Sequence, residues 1–237
     1  MYLKPLPGLF LEVRRVSTQS NSTCQLVTAL QSFDIDLIFD VGANRGQFGL
    51  DLRRFGYNKH IVSFEPLSIP HNIATQNADK DQSWYVHERT AIGDTDGEIE
   101  VKVSNNSYSS SILQITDTHC DAAKNSEYVG TERTPILRLD SVAPLYLDRG
   151  QNPLLKIDTQ GYEWQVLDGA SETLPKIRGI LCELSFVSLY QGSRLWTDVV
   201  QRLEKEGFKL WALSQEFIHP DTGRTLQSNG LFFRTHY

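Results

Sequence analysis

The sequence predicts a doubly wound α/β domain built on a mostly parallel sheet, and three observations point to it. From residue 36 onward, short apolar runs alternate with amphipathic stretches, a pattern typical of parallel strands joined by crossover helices. Two runs, "LLKI" at residues 154–157 and "ILCE" at residues 180–183, suit strands buried in the middle of a sheet. Towards the C-terminal end, two alternating runs flank an Asp-Thr-Gly turn, which predicts an antiparallel pair at the edge of the sheet. The length of 237 residues suits one such domain.

Turn and cap residues place the boundaries of the predicted elements. Pro66 ends the second strand, and Gly56 and Gly207 stand where the C-terminal caps of helices belong. Strands are predicted at residues 37–41, 60–65, 84–87, 98–103, 134–140, 153–158, 178–185, 208–213 and 230–234. Helices are predicted at residues 24–33, 47–54, 68–78, 162–170 and 195–206.

The order of these elements predicts one domain with one conspicuous insertion. Residues 1–35 form an N-terminal lead-in that contains the first helix, and residues 36–237 form a single domain. Residues 104–133 are rich in Ser, Thr and Asn, and we call them the polar insert. Because long polar loops in compact domains are usually functional or disordered, we interpret the polar insert as a loop or lid over a binding site.

Composition argues against several classes of partner. The net charge is -6 and no basic block occurs, whereas nucleic-acid binding needs clustered Lys and Arg. No apolar run approaches the ~20 residues needed to span a bilayer. Residues 1–17 carry their basic pair after the apolar stretch, the reverse of a secretory signal. The three cysteines include no C-x-x-C pair, which suits a reducing compartment. We therefore expect a cytoplasmic protein with no membrane span, either monomeric or homodimeric.

A glycine-spaced turn follows the first predicted strand, in the sequence "IFDVGANRGQF" at residues 38–48. It lacks the lysine of a P-loop, since no lysine occurs between the turn and Lys59. It also departs from the spacing of a dinucleotide turn, and Asp40 before the first glycine would repel a pyrophosphate. A carboxylate there suits a cationic or zwitterionic nucleoside such as S-adenosylmethionine (SAM). Glu65 ends the second strand, where an acid accepts hydrogen bonds from ribose hydroxyls in nucleoside-binding βαβ units; the alternative is a solvated acid.

Six motifs in order resemble those of the FkbM-type methyltransferases. They are "IFDVGANRGQF", "VSFEP", "AIGDTDGEIEV", "SSSIL", "LRLDSV" and "LLKIDTQGYEWQVLDGA", within roughly residues 36–190. The resemblance implies a class I SAM-methyltransferase (Rossmann-like) fold, with a seven-stranded sheet and an antiparallel C-terminal edge strand. It also implies SAM-dependent O-methylation of a small-molecule or oligosaccharide acceptor, through a hydroxyl of a sugar, glycan or glycosylated natural product. The last motif departs from the family at Gln160, where many members have Glu.

The motifs and the strand ends together give the candidate cofactor-binding residues. The glycine turn supplies the first group, Glu65 and Pro66 follow strand two, and the resemblance places the adenine edge near residues 91–94. The complete set is Asp40, Gly42, Ala43, Asn44, Gly46, Phe48, Glu65, Pro66, Ala91, Ile92 and Asp158. We expect the glycines to let the cofactor approach the backbone closely.

Asp158 and Glu183 are the first candidates for catalysis because each ends a buried strand. The ends of such strands open onto the crevice where open α/β sheets bind ligands. The two carboxylates could act as a base and its partner, or hold one Mg²⁺ ion as metal ligands. A helix cap at Asp158, or ion pairs with Lys156 or Arg178, are the structural alternatives. His219, in the loop between the last two strands, is the third catalytic candidate.

Three other functions share part of this pattern. An NAD-dependent dehydrogenase would have the same first strand and Glu65, but not Asp40 before the turn. A methyltransferase acting on a phenolic, catechol or polyketide hydroxyl would share every motif discussed here. A non-catalytic SAM-binding module would keep residues 40–65 and lack a working acceptor site.

Overall fold

The protein was analysed as a computed structural model, which describes residues 21–234. The lead-in is therefore described only from Asn21 onward, and the N-terminal stretch compared above with a secretory signal lies outside the described residues. Between residues 21 and 234, no helix combines the length and the apolar character required to cross a bilayer.

A seven-stranded sheet forms the centre of the molecule. Its strands are β1 (Leu37–Val41), β2 (His60–Phe64), β3 (Trp84–Val86), β7 (Pro153–Ile157), β8 (Gly179–Ser185), β9 (Lys209–Ile218) and β10 (Thr225–Phe233). They lie in the order β3-β2-β1-β7-β8-β10-β9. β1 pairs in parallel with both β2 and β7, and β7 pairs in parallel with β8. β10 runs antiparallel to its neighbours β8 and β9, which confirms the predicted antiparallel pair at this edge.

A second, three-stranded sheet lies beside the main one. It consists of β4 (Ala91–Gly93), β5 (Gly97–Ser104) and β6 (Tyr128–Arg138), in the order β4-β6-β5. The polar insert is consequently not a plain loop, because it contains one helix and the first half of β6. The alternating strand expected at residues 98–103 does form, but it belongs to this second sheet.

Helices cover both faces of the main sheet. They are α1 (Ser22–Ser32), α2 (Gln47–Arg54), α3 (Ser68–Ala78), α4 (Asp117–Ala122), α5 (Leu139–Val142), α6 (Glu163–Asp168) and α7 (Trp196–Lys205). One face packs against α1, α2 and the end of α3 through a cluster that includes Val27, Leu52 and Ala78. The other packs against α5, α6 and α7 through a larger cluster that includes Val166 and Leu203. The protein is thus the doubly wound α/β sandwich that the alternating pattern predicts.

Alternation of side chains along β1 explains why this strand is apolar on both faces, with Asp40 as the one exception. Ile38 faces the cluster beneath α1 and α2, whereas Leu37 and Phe39 face the cluster beneath α5 to α7. All five residues of β1 are buried, because the strand has a neighbour on each side and helices on both faces. The carboxyl ends of β1, β2, β7 and β8 therefore open at one edge of a rigid layer, where the chain leaves each strand for a loop.

Candidate active site

A cavity of about 440 Å³ lies at the carboxyl ends of the central strands. This volume is within the range of pockets that hold drug-sized ligands. The turn after β1, the end of β2, the start of β4 and the loops after β7 line it, and residues 106–112 of the polar insert close it from above. The side chains that carry the argument below are Glu65, Ser111, His119, Asp158, Gln160, Glu183 and Glu216. Among the lining residues that the structure describes, none is Lys or Arg.

The glycine turn has the left-handed backbone that its residues predict. Gly42, Asn44 and Gly46 have φ angles of 78°, 47° and 79°. A Cβ at Gly42 would overlap the carbonyl oxygen of Asp158, and one at Gly46 would lie 2.9 Å from the ring of Trp84. The packing of the turn therefore requires both glycines, and their role in letting the cofactor approach the backbone stays a prediction. Gly42 still lines the cavity with its backbone, next to Asn44.

Asp40 does not line the cavity. Its side chain is fully buried, with Oδ1 2.9 Å from the ammonium of Lys156 and Oδ2 accepting a hydrogen bond from Ser63. Although burial disfavours the ammonium, the carboxylates of Asp40 and Asp158 raise the pKa of Lys156 above its ordinary value. The cofactor-binding role expected for Asp40 therefore has no geometric basis, because its charge is compensated inside the protein. Asp40 instead anchors the strand from which the turn departs.

Glu65 reaches the cavity from the end of β2. Its Oε2 accepts a hydrogen bond of 2.8 Å from the backbone N–H of Asn44, and Oε1 accepts one of 2.9 Å from that of Leu67. Burial raises the pKa of Glu65 to about 7 even though both backbone donors favour the carboxylate. The side chain lines the cavity, and its hydrogen bond from Asn44 fixes the glycine turn. Its contact with a ribose stays a prediction.

The other predicted cofactor residues divide into two groups. Pro66, Ala91 and Ile92 line the cavity and give it an apolar wall suited to a base edge. Ala43 and Phe48 do not line it: Ala43 is buried, and the ring of Phe48 lies 5.3 Å from the ammonium of Lys156. These two side chains support the turn from behind.

Asp158 and Glu183 meet in the cavity, as the strand-end argument predicts, and the amide of Gln160 joins them. The Nε2 of Gln160 donates to Oδ1 of Asp158 at 2.9 Å and to both oxygens of Glu183 at 3.2 and 3.1 Å. Burial, together with the nearby carboxylates of Asp158 and Glu163, raises the pKa of Glu183 well above its ordinary value. Burial and these neighbouring charges therefore disfavour the ionised form of Glu183, next to the more exposed Asp158.

This arrangement does not fit the predicted magnesium site. A hard cation needs several oxygen ligands that converge on one point. Here the amide group of Gln160, a hydrogen-bond donor, lies between the two carboxylates. Within residues 21–234, no group of three or more His, Cys, Asp or Glu side chains is arranged to hold a metal ion.

The catalytic candidate His219 and two other histidines, His87 and His119, have different positions. His219 is absent from the cavity lining and lies 3.3 Å from the carboxylate of Asp121 in α4. His87 accepts or donates a hydrogen bond with Tyr146 behind β3, also away from the cavity. His119 does line the cavity: it is 3 % exposed, its Nε2 lies 3.0 Å from the hydroxyl of Ser109, and burial lowers its pKa to about 4. His119 is thus a neutral wall residue at physiological pH.

Sequence reasoning did not identify two polar residues of the last hairpin. Glu216 at the end of β9 and Gln227 in β10 both line the cavity. Glu216 accepts a hydrogen bond from Asn229, and burial and Asp158 raise its pKa. Because β9 runs in the same direction as β8, its carboxyl end meets the same crevice. That relation follows from the sheet order, which the composition of β9 does not reveal.

The chain matches the sequence profile described as "Methyltransferase FkbM domain" over residues 40–210, more than half of its length. No curated protein sequence matches it significantly. Similar solved structures include magnesium protoporphyrin IX methyltransferase from Synechocystis PCC 6803 with bound SAM. Its sequence identity to this chain is 10%, the alignment covers 90% of this chain and 77% of that chain, and the TM-score is 0.49.

Two further structures have comparable similarity. Precorrin-6y C5,15-methyltransferase from Geobacter metallireducens GS-15 has 11% identity, with 96% of this chain and 94% of that chain covered and a TM-score of 0.47. Ribosomal protein L11 methylase from Lactobacillus delbrueckii subsp. bulgaricus has 10% identity, with coverages of 97% and 83% and a TM-score of 0.45. The profile match, the strand order and the cavity at the carboxyl ends of β1 and β2 agree, and the chain belongs to the FkbM methyltransferase family of SAM-dependent enzymes with the class I fold.

Proposed function

We propose that the protein transfers the methyl group of SAM to a hydroxyl of a sugar, glycan or glycosylated natural product. The observation that carries the proposal is the pair of carboxylates, Asp158 and Glu183, which line the cavity and share one amide donor. A weakly acidic hydroxyl needs a group that takes up its proton. Such a group is present where the acceptor would enter.

We place the cofactor against the part of the cavity that Glu65, Ala91 and Ile92 line. Glu65 offers lone pairs for ribose hydroxyls, Ala91 and Ile92 offer an apolar wall, and the backbone of the turn at Gly42 and Asn44 borders the space between them. SAM supplies an electrophilic methyl group on a sulfonium. The protein's own contribution is to hold the acceptor hydroxyl in line with that methyl, since orientation alone can offset ~7–11 kcal/mol of a barrier.

Asp158 is the proposed base. As the new C–O bond forms and the C–S bond breaks, the electron pair of the C–S bond stays on sulfur and the hydroxyl proton passes to the carboxylate of Asp158. Glu183 is the more buried of the two acids, and burial disfavours its ionised form, so it serves as a fixed partner instead of a second base. The proton on Asp158 returns to water after the methylated product leaves.

The chemistry of the cavity wall supports a polyhydroxylated acceptor. Asp158, Glu183, Glu216 and Gln227 are all able to accept hydrogen bonds from hydroxyl groups. Nucleic acid is disfavoured, because the described lining offers no Lys or Arg for phosphate. Residues 106–112 of the polar insert line the same cavity. We propose that the polar insert closes over the acceptor and excludes water.

The test is transfer of labelled methyl from SAM to a panel of sugars, oligosaccharides, phenols and catechols. We expect transfer to a sugar hydroxyl, with Asp158→Asn lowering turnover by at least ~10²-fold because the proton acceptor is lost. Glu183→Gln should lower it less. The exposed Asp79→Asn is the matched control and should behave as wild type.

Two results would contradict parts of the proposal. Transfer to phenols alone would replace the sugar acceptor, and full activity of Asp158→Asn would remove the base. Activity should also be unchanged by EDTA, since the amide between the carboxylates leaves no cation site there. Loss of activity with EDTA and recovery with magnesium would restore the metal alternative.

A further inference from the structure

Gln160 occupies a backbone conformation that its residue type does not favour. It lies in the left-handed region with φ 55°, in the turn that connects β7 to α6. Its carbonyl oxygen accepts a hydrogen bond of 2.7 Å from the hydroxyl of Ser111 in the polar insert. The next residue, Gly161, packs so closely on Tyr190 that a Cβ there would lie 2.8 Å from it. The fold therefore holds Gln160 in place from two sides.

The side-chain amide of Gln160 has a fixed orientation. Its Oε1 accepts a hydrogen bond of 2.8 Å from the hydroxyl of Tyr190, and its Nε2 faces Asp158 and Glu183. The opposite orientation would place the amide oxygen against two carboxylates, which is electrostatically unfavourable. Tyr190 is fully buried, and burial raises the pKa of its hydroxyl well above the ordinary value, so the hydroxyl remains a donor.

The same two residues connect the carboxylates to the polar insert. Ser111 donates to the backbone of Gln160, and the carbonyl oxygen of Ser109 lies 3.3 Å from the hydroxyl of Tyr190. The ring of His119 packs edge-on against that of Tyr190, with 5.2 Å between the ring centroids. The segment that covers the acceptor end of the cavity therefore touches Gln160 directly and also through Tyr190.

We propose that Gln160 is the positioning residue of methyl transfer: its amide sets the orientation of Asp158 and Glu183, and the polar insert holds that amide in place. An amide donates two hydrogen bonds but neither ionises nor takes up a proton. It can therefore separate the roles of the two acids without competing for the proton of the acceptor. The inference rests on the proposed function, in which Asp158 is the base.

The pKa of Glu183 is sensitive to the hydrogen bond from Gln160. The charged groups that face it are the carboxylates of Asp158, Glu163 and Glu216, all of which favour its protonated form. The hydrogen bond from Gln160 acts in the opposite direction. Loss of the amide donor should therefore make Glu183 harder to ionise.

The experiment compares Gln160→Glu with the wild type, with Tyr190→Phe, and with Gln191→Glu as the matched control. Gln191 follows Tyr190, is exposed, and does not line the cavity, so the control makes the same change of charge nearby. The first readout is the pH titration of the Glu183 carboxyl carbon by ¹³C NMR, assigned with Glu183→Gln. We expect its midpoint to rise by roughly one pH unit or more in Gln160→Glu, as for a lost hydrogen bond to a charged group, and to stay unchanged in the control.

The second readout is methyl transfer to the acceptor that the panel identifies. For Gln160→Glu we expect kcat to fall roughly 10–100-fold, the cost of a misplaced catalytic group. The acceptor KM and the Kd for S-adenosylhomocysteine (SAH) should change little. Tyr190→Phe keeps the ring and loses only the hydroxyl, so it should lower kcat in the same direction by a smaller factor.

Two outcomes would overturn the inference. One is a Glu183 titration and a kcat in Gln160→Glu that match those of the control. The other is a weakened acceptor KM or SAH Kd with kcat intact, because Gln160 would then be a binding residue. If the wild type methylates no hydroxyl, the proposed function fails, and the titration alone still decides whether Gln160 positions Glu183.

Discussion

Glu65 offers the sharpest test of how the site is built, because its two roles respond to mutation in opposite directions. The folded protein raises the pKa of Glu65 from 4.5 to about 7 by burial. Between these two values the folded state binds a proton that the unfolded state has lost. The stabilisation from this proton is therefore complete at low pH and is lost as the pH rises through 7. The loss amounts to roughly 2–3 kcal/mol between pH 5 and pH 8.

Glu65→Gln removes this dependence, but the NH₂ of its amide cannot accept the hydrogen bond that one of the two backbone N–H groups donates to the carboxyl. We therefore expect the variant to be less stable than the wild type at pH 5, by the ~1–3 kcal/mol of one unpaired donor. Between pH 5 and pH 8 the difference should shift in favour of the variant by roughly 2–3 kcal/mol, because only the wild type loses the stabilising proton. Glu65→Ala behaves differently, because the N–H groups of Asn44 and Leu67 lose their acceptor. It should cost ~1–3 kcal/mol for each buried donor left unpaired.

The substitution Glu65→Gln should weaken the binding of SAH. The ionised carboxylate can accept hydrogen bonds from ribose while it holds both backbone groups, and the amide of glutamine cannot. At pH 8, Glu65→Gln should weaken SAH binding by ~1.5–3 kcal/mol, or roughly 10–150-fold in Kd. The affinity of the wild type should fall as the pH drops below about 7, whereas that of the variant should not.

The assays are urea denaturation at pH 5 and pH 8 and calorimetric titration with SAH, with the exposed Glu98→Gln as control. Identical pH dependence of stability in wild type and Glu65→Gln would refute the burial argument. A Glu65→Gln variant that binds SAH as tightly as wild type at pH 8 would refute the ribose contact and leave Glu65 a purely structural acceptor.

Two further predictions concern the turn and the strand behind it. Lys156→Met should lower the free energy of unfolding by ~3–5 kcal/mol, because it leaves the buried carboxylate of Asp40 without its cation. Thermal melts should show that adding Asp40→Asn partly restores the Tm. An unchanged Tm in the single variant would contradict the pairing. Gly42→Ala should prevent SAH binding and lower the Tm more than Gly56→Ala does. A Cβ at Gly42 overlaps the backbone of Asp158, whereas a Cβ at Gly56 meets no atom within 4 Å. Equal Tm values in the two variants would show that the overlap does not cause the loss of stability.

The main sheet could be predicted because its strands carry an unmistakable pattern. β1, β7 and β8 are buried, mostly apolar runs interrupted by Asp40, Lys156 and Glu183, and each ends at a polar residue or a turn. The second sheet could not be predicted in the same way. β4 has only three residues, and β6 begins within polar sequence whose side chains are largely exposed. Such strands form because neighbouring strands supply their hydrogen bonds, and a single sequence does not display that pairing.

In the candidate site, the positions of the acids could be predicted from the sequence, but their contacts could not. Strand ends placed Glu65, Asp158 and Glu183 at one edge of the sheet, because that relation depends only on the direction of parallel strands. The partners of these groups depend on side chains that lie far apart in sequence. Neither the pairing of Asp40 with Lys156 nor the amide of Gln160 between two acids follows from spacing.

The place of β10 in the sheet has a consequence for how the chain is made. β10 is the last strand along the described chain, yet it lies between β8 and β9 instead of at the edge. While the ribosome is still synthesising residues 225–233, β8 has no neighbour on its outer side and β9 has no strand with which to pair. The nascent domain therefore presents an unpaired apolar edge until this strand emerges, which is a state prone to association with other chains. The sheet is completed when β10 inserts between β8 and β9. We expect the nascent chain to depend on chaperones in the cell mainly before that step.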